Sequence, residues 1–251
     1  MNIEHSIVLV TGANRGIGHA FVTELLARGA AKIYVAARDT AALRELLLAG
    51  GPRLVPLPLD VTDPDQVAAA AKVASDVTLL INNAGFAAFD GAISASGTDA
   101  ARREMEVNYF GPLALSRAFA PVLAKNGGAI VNMLSMLSLV TLPMAGTYSA
   151  SKAAALALTR SLRAELAAQG TQVLGVLAVQ TETSMGAALP EPRMTPQEVV
   201  GDALDAVQSG VSDEVVAGAQ TRAIHDAFVA NPKGLQAQMS TRLPQAGAAH
   251  A

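Results

Sequence analysis

Ile7-Val8-Leu9-Val10-Thr11-Gly12-Ala13-Asn14-Arg15-Gly16-Ile17-Gly18 is the stretch from which the rest of the chain is best read. A short β-branched run, Ile7 to Val10, ends in a glycine-rich turn. Apolar residues then recur at helical spacing from Ile17 to Arg28, where Gly29 stops them. Strand, loop and helix in this order form the first half of a βαβ unit. Glycines here let the backbone turn sharply and approach a pyrophosphate at the helix N-terminus. Gly12, Asn14, Arg15, Gly16, Ile17 and Gly18 are therefore candidate nucleotide contacts. The spacing is G-xxx-G-x-G, not G-x-G-xx-G. An ordinary βα turn also uses glycine, and the position directly after the first strand favours the nucleotide reading.

The pattern repeats outward from this loop. Strands are expected at Ile33 to Ala37, Leu54 to Leu59, Thr78 to Ile81, Ile130 to Met133, Val173 to Val179 and around Val215 to Ala217. Helices are expected at Thr40 to Ala49, Asp63 to Ser75, Thr98 to Val107, Gly111 to Lys125, Tyr148 to Gln169, Pro196 to Ser209 and Thr221 to Val229. Asp63 followed by Pro64 is a helix start, since proline suits the first helical position. Strands that are continuous apolar runs are buried on both faces, which implies a parallel sheet between helices. The expected class is α/β: a doubly wound, Rossmann-like parallel sheet in a single domain over residues 1–242, with 243–251 an Ala- and Gly-rich disordered tail.

Composition narrows the function. With 251 residues, 51% of them hydrophobic, the chain can build one well-buried core. A net charge of −3 gives no reason to expect nucleic acid as a partner, and Arg102-Arg103 reads as a solvated helix face. There is no cysteine, which removes disulfides, thiolate nucleophiles and iron–sulfur ligation, and a reducing cytoplasm fits. His5, His19, His225 and His250 are scattered, so no metal site is expected. The most apolar region, Ile130 to Ala145, is interrupted by Asn132, Ser135, Ser138, Thr141 and Pro143, so neither a membrane partner nor a leader is expected.

Four motifs follow one another in order: Thr11 to Gly18, then Asn82-Asn83-Ala84-Gly85 after the fourth strand, then Ser135 after the fifth, then Tyr148-Ser149-Ala150-Ser151-Lys152. Thirteen residues separate Ser135 from Tyr148. The set resembles the short-chain dehydrogenase/reductase family over about residues 5 to 185, and more loosely over 196 to 231. That resemblance implies an oxidoreductase in which Tyr148 exchanges a proton with a carbonyl oxygen and Ser135 hydrogen-bonds the same oxygen. It also implies that Lys152 tunes Tyr148 and holds the nicotinamide ribose, and that Asn108 supports a water linked to Lys152. Asp60, Val61, Asn82, Ala84, Gly85 and Thr183 would border the cofactor. Helices Gly111 to Lys125 and Tyr148 to Gln169 correspond to those that pair between subunits, so a homodimer or homotetramer is expected.

Elementary electrostatics supports the Tyr148–Lys152 pair. Residues four apart share a helix face, and an ammonium ~4 Å from a phenol at an effective dielectric of ~20 favours the phenolate by about 4 kcal/mol, roughly three pKa units before desolvation opposes it. The cofactor follows from the end of the second strand, Val35-Ala36-Ala37-Arg38-Asp39. With Ala37 in the place of an acidic ribose ligand, Arg38 and Arg15 suit a 2′-phosphate and NADP(H) is expected. The rival register puts Asp39 on the ribose and gives NAD(H), although Asp39 also suits a helix start.

Two departures from the family pattern stand out. Leu134 and Ser138 replace a common serine and glycine around Ser135. After the sixth strand, Ala178-Val179 stands where Pro-Gly is common, and Val179 is unsuitable if that position needs φ > 0. The segments Phe86 to Phe89, Met136 to Met144 and Met185 to Met194 are chiefly apolar and suggest a neutral, hydrophobic carbonyl substrate. The alternatives are a non-catalytic dinucleotide sensor, which has no need of Tyr148 and Lys152, and an epimerase or dehydratase, for which little chain remains after the sixth strand.

Overall fold

A computed structural model describes residues 1–187, 189–210 and 213–244. Seven parallel strands form one sheet: β1 (Ile7–Thr11), β2 (Lys32–Ala37), β3 (Leu54–Pro58), β4 (Leu79–Asn82), β5 (Ala129–Met133), β6 (Gln172–Leu177) and β7 (Glu214–Val216). Their order is β3-β2-β1-β4-β5-β6-β7. The chain starts in the middle, winds to one edge, returns, and winds to the other. Strand order therefore reverses between β1 and β4, and a crevice opens there at the strands' C-terminal ends. β3 carries Pro56 and Pro58, which cannot donate to a ladder and fit the edge that it occupies.

Helices cover both faces, as the continuous apolar strands require. α1 (Gly16–Ala27) and α7 (Pro196–Ser209) bury Phe21, Leu25, Val199 and Leu204 against one face. α3 (Pro64–Val73), α5 (Gly111–Asn126) and α6 (Gly146–Leu166) bury Val67, Leu115, Phe119 and Leu162 against the other. The remaining helices are α2 (Arg44–Gly50), α4 (Asp99–Met105), α8 (Gly218–Ala230) and α9 (Pro232–Met239). Asp63 caps α3 through bonds from Asp65 N and Gln66 N, and Thr195 caps α7.

The doubly wound fold matches the expectation, with two differences in its helices. α4 and α5, expected as separate helices, are joined by a wide π-helical turn over Glu106–Phe110. Pro112 has no N–H to return to the carbonyl four residues earlier, and the wider turn absorbs that loss. α9 was not expected, although Asn231-Pro232 is a helix start: the Asn231 side chain accepts from Gly234 N at 2.9 Å. Of the expected tail, 245–251 lies outside the described residues.

Candidate active site

A cavity of about 650 Å³ lies in the crevice, with the glycine loop at one end and Ser135, Tyr148 and Lys152 on its wall. The loop is held by close backbone packing. A Cβ on Gly18 would lie 2.1 Å from Gly12 O, and one on Gly12 would lie 3.1 Å from Ala84 Cα, so a side chain cannot fit at Gly18 and would be crowded at Gly12. Thr11 Oγ1 donates to Ile81 O at 3.2 Å and accepts from Asn83 N at 2.9 Å and Ala84 N at 3.0 Å, tying the ends of β1 and β4 together. Asn83 Nδ2 donates to Thr11 O at 2.8 Å and fixes the loop from the side.

Gly12, Asn14, Arg15, Gly16, Ile17, Arg38, Asp60, Val61, Ala84, Gly85 and Thr183 all line this cavity, as the cofactor reading requires. Arg15 and Arg38 both face it, and among the described residues neither forms an ion pair. Asp39 accepts from Ala41 N at 2.9 Å and caps the short turn Thr40–Leu43, the helix-start role that competes with ribose binding. Asp60 Oδ1 accepts from Thr62 N and Thr62 Oγ1, so it shapes its own turn while lining the cavity.

Three expected residues stand off the wall. Gly18 packs beneath the loop. Asn82 points into the sheet, where its Nδ2 donates to Asn132 Oδ1 at 2.8 Å; strand alternation turns it away from the cavity that Asn83 faces. Asn108 sits in the π-helical turn, where Oδ1 accepts from Phe86 N at 2.9 Å and Nδ2 donates to Phe86 O at 2.8 Å and Ser151 Oγ at 2.9 Å. A Cβ built on Gly85 would lie 3.5 Å from Asn108 Oδ1 and 4.0 Å from Lys152 Nζ, ordinary contact distances that place Asn108 and Lys152 on either side of it.

Ser135 follows β5 and caps the turn Met136–Ser138: its Oγ accepts from Leu137 N at 3.1 Å, while Ser138 Oγ accepts from Ser135 N at 3.4 Å. Ser138, unusual for the pattern, thus helps to orient Ser135. Tyr148 lies in the first turn of α6, open to the cavity on one side. Burial pushes its phenol well above the ordinary value, a hydrogen bond with Ser135 opposes the rise, and the charge of Glu104 adds to it. Lys152, almost wholly buried, has its ammonium pushed down to about 8 by desolvation. Its Nζ donates to Met133 O at 2.8 Å and lies 5.8 Å from the Tyr148 ring centroid. The expected lowering of Tyr148 by Lys152 is not what this geometry gives, because desolvation outweighs attraction and the ammonium is engaged by a carbonyl.

The concern over Val179 also resolves: among the described non-glycine residues only His5 and Phe89 have positive φ. The segment after β6 loops back on itself, with Glu182 N donating to Met194 O and Met194 N to Gln180 O. Arg193 Nη1 donates to the carbonyls of Gly186, Ala187 and Leu189 and ties the loop internally. Thr183 is thereby placed against Gly16. The apolar end of the cavity is lined by Phe86, Phe89, Leu142, Met144, Met185 and Leu189. Ile224, Met239 and Arg242, from α8, α9 and just beyond, also line it and were not foreseen; no local motif marks them. Nor was Arg103, which stacks over Phe86 at 4.8 Å. Among the described residues no helix is long and apolar enough to cross a membrane, and no cluster of His, Asp and Glu is placed to hold a metal.

The sequence profile described as short chain dehydrogenase matches residues 6–193. A short chain dehydrogenase from Burkholderia cenocepacia, solved in complex with NADP, superposes with a TM-score of 0.90 at 44% identity, covering 95% of this chain and 99% of that one. NADPH-bound carbonyl reductase from chicken fatty liver superposes with a TM-score of 0.73 at 34% identity, covering 79% and 85%. Dehydrogenase/reductase SDR family member 7B of Mus musculus is 38% identical over 176 residues, 65% of this chain, and the match spans only 54% of the mouse protein.

Proposed function

Because this chain belongs to the short-chain dehydrogenase family, we propose that it is an NADP(H)-dependent oxidoreductase interconverting a carbonyl and an alcohol, with Tyr148 as proton donor and acceptor. The observation that carries this reading is that Ser135, Tyr148 and Lys152 share one cavity with the glycine loop. The cavity fits a dinucleotide. Gly12 and Gly16 line it and leave the backbone bare where a pyrophosphate must approach, and Arg15 and Arg38, without ion-pair partners among the described residues, offer two cations to a 2′-phosphate. Two of the similar solved structures carry NADP or NADPH.

When bound, the dinucleotide supplies the hydride in reduction and takes it in oxidation. Lys152 and Tyr148 would hold the nicotinamide ribose, Asp60 and Val61 would border the adenine, and Thr183 would meet the nicotinamide amide. In the protein, burial keeps Tyr148 protonated, which is the form that donates to a carbonyl oxygen. Ser135, on the same cavity wall as Tyr148, would share that oxygen and set its direction. Asn108 keeps Phe86 and Ser151 in place around Lys152. The apolar end of the cavity favours a neutral, hydrophobic ketone or aldehyde. α5 and α6 would pair between subunits in a homodimer or homotetramer.

A panel of ketones and aldehydes with NADPH, followed at the nicotinamide absorbance, tests the reading. Oxidation of NADPH by apolar carbonyls is expected. Tight NADPH binding with no turnover on any member would refute it and favour a sensor.

A further inference from the structure

The segment after β4 runs past the cavity, and two side chains on the α4 side hold its backbone. Asn108 bonds both the N–H and the carbonyl of Phe86. Glu104, four residues earlier, accepts from Ala88 N through Oε1 at 2.9 Å. Four residues of helix rise about 6 Å and two residues of extended chain span about 6.6 Å, so the two spacings match and the side chains act as successive rungs. Immediately beyond the second rung, Phe89 takes φ +57, a conformation costly for an aromatic residue, and needs support from its surroundings. Its ring centroid lies 6.3 Å from that of Tyr148, tilted by 39°.

Glu104 is fully buried, and its Oε2 has no hydrogen-bond partner among the described residues. A glutamine would accept the same bond from Ala88 through its amide oxygen. We propose that Glu104 is a positioning residue of this site: it clamps the segment that seats Phe89 against Tyr148. The proposal rests on the reading of Tyr148 as the acid.

NMR of ring-labelled tyrosine tests this without turnover, since the chain has three tyrosines and Tyr148→Phe assigns the signal. Glu104→Leu removes the rung and is expected to move the Tyr148 resonance to where Phe89→Leu places it. Glu104→Gln keeps the rung, so the resonance should stay near the wild-type position. An unmoved resonance in Glu104→Leu, or a resonance displaced as far in Glu104→Gln as in Glu104→Leu, overturns the proposal. Should the wild type reduce no carbonyl, the functional reading fails while the NMR result still decides the role of Glu104.

Discussion

Replacing Lys152 by methionine should make the protein more stable at neutral pH while destroying its activity. Lys152 is almost wholly buried and its ammonium titrates near 8, against an ordinary value of 10.5. At ~1.4 kcal/mol per pKa unit, holding the charge in the folded state costs about 3 kcal/mol. The sign follows from proton binding. Below pH 8 both folded and unfolded chains carry the proton and the penalty is complete. Between 8 and 10.5 the unfolded chain binds more protons, so wild-type stability rises with pH and the penalty fades. Lys152→Met has the stem without the charge, at the loss of the hydrogen bond to Met133 O, about 1 kcal/mol independent of pH. Urea unfolding at a series of pH values from 7 to 10 measures the difference. The variant should exceed wild type by about 2 kcal/mol at pH 7, and the gap should shrink steadily as pH rises. Tyr148 is common to both proteins, and its raised phenol bears on stability only above pH 10. A gap that stays constant across this range would refute the desolvation argument.

Two further outcomes are expected, the first from the cavity and the second from the family resemblance. NADPH should be preferred over NADH by roughly a hundredfold in kcat/KM, from two charge-assisted contacts at ~1.5–3 kcal/mol each, and Ala37→Asp with Arg38→Leu should reverse the preference; equal use by the wild type would remove Arg15 and Arg38 from the site. Light scattering at micromolar concentration should show a homodimer or homotetramer, and a monomer would refute pairing through α5 and α6.

Much of this architecture is legible in local sequence because it depends on local chemistry. Continuous apolar runs specify buried parallel strands, and Asp63-Pro64 and Thr195-Pro196 specify helix starts that the structure shows. The crevice follows from strand order, which sets the glycine loop beside the motif Asn82 to Gly85 only in the folded chain. Side-chain direction was harder to read. Asn82 and Asn83 are adjacent and chemically identical, and only strand alternation decides that Asn83 pins the loop while Asn82 meets Asn132. Glu104 reads as an ordinary helix-face carboxylate until the segment after β4 is laid against it. Ile224, Met239 and Arg242 reach the cavity from a part of the chain with no distinctive motif. The balance between burial and Lys152 at Tyr148 depends on three-dimensional desolvation, which spacing along a helix does not reveal.

The central claim is that Tyr148 carries the transferred proton, and Tyr148→Phe tests it most directly, because the substitution deletes the hydroxyl and keeps the ring that meets Phe89. NADPH affinity, measured by fluorescence titration, should stay near the wild-type value. Turnover on the best carbonyl of the panel should fall ~10² to 10⁴-fold, the usual contribution of a positioned acid. A variant that retains more than about a tenth of wild-type turnover would contradict the assignment.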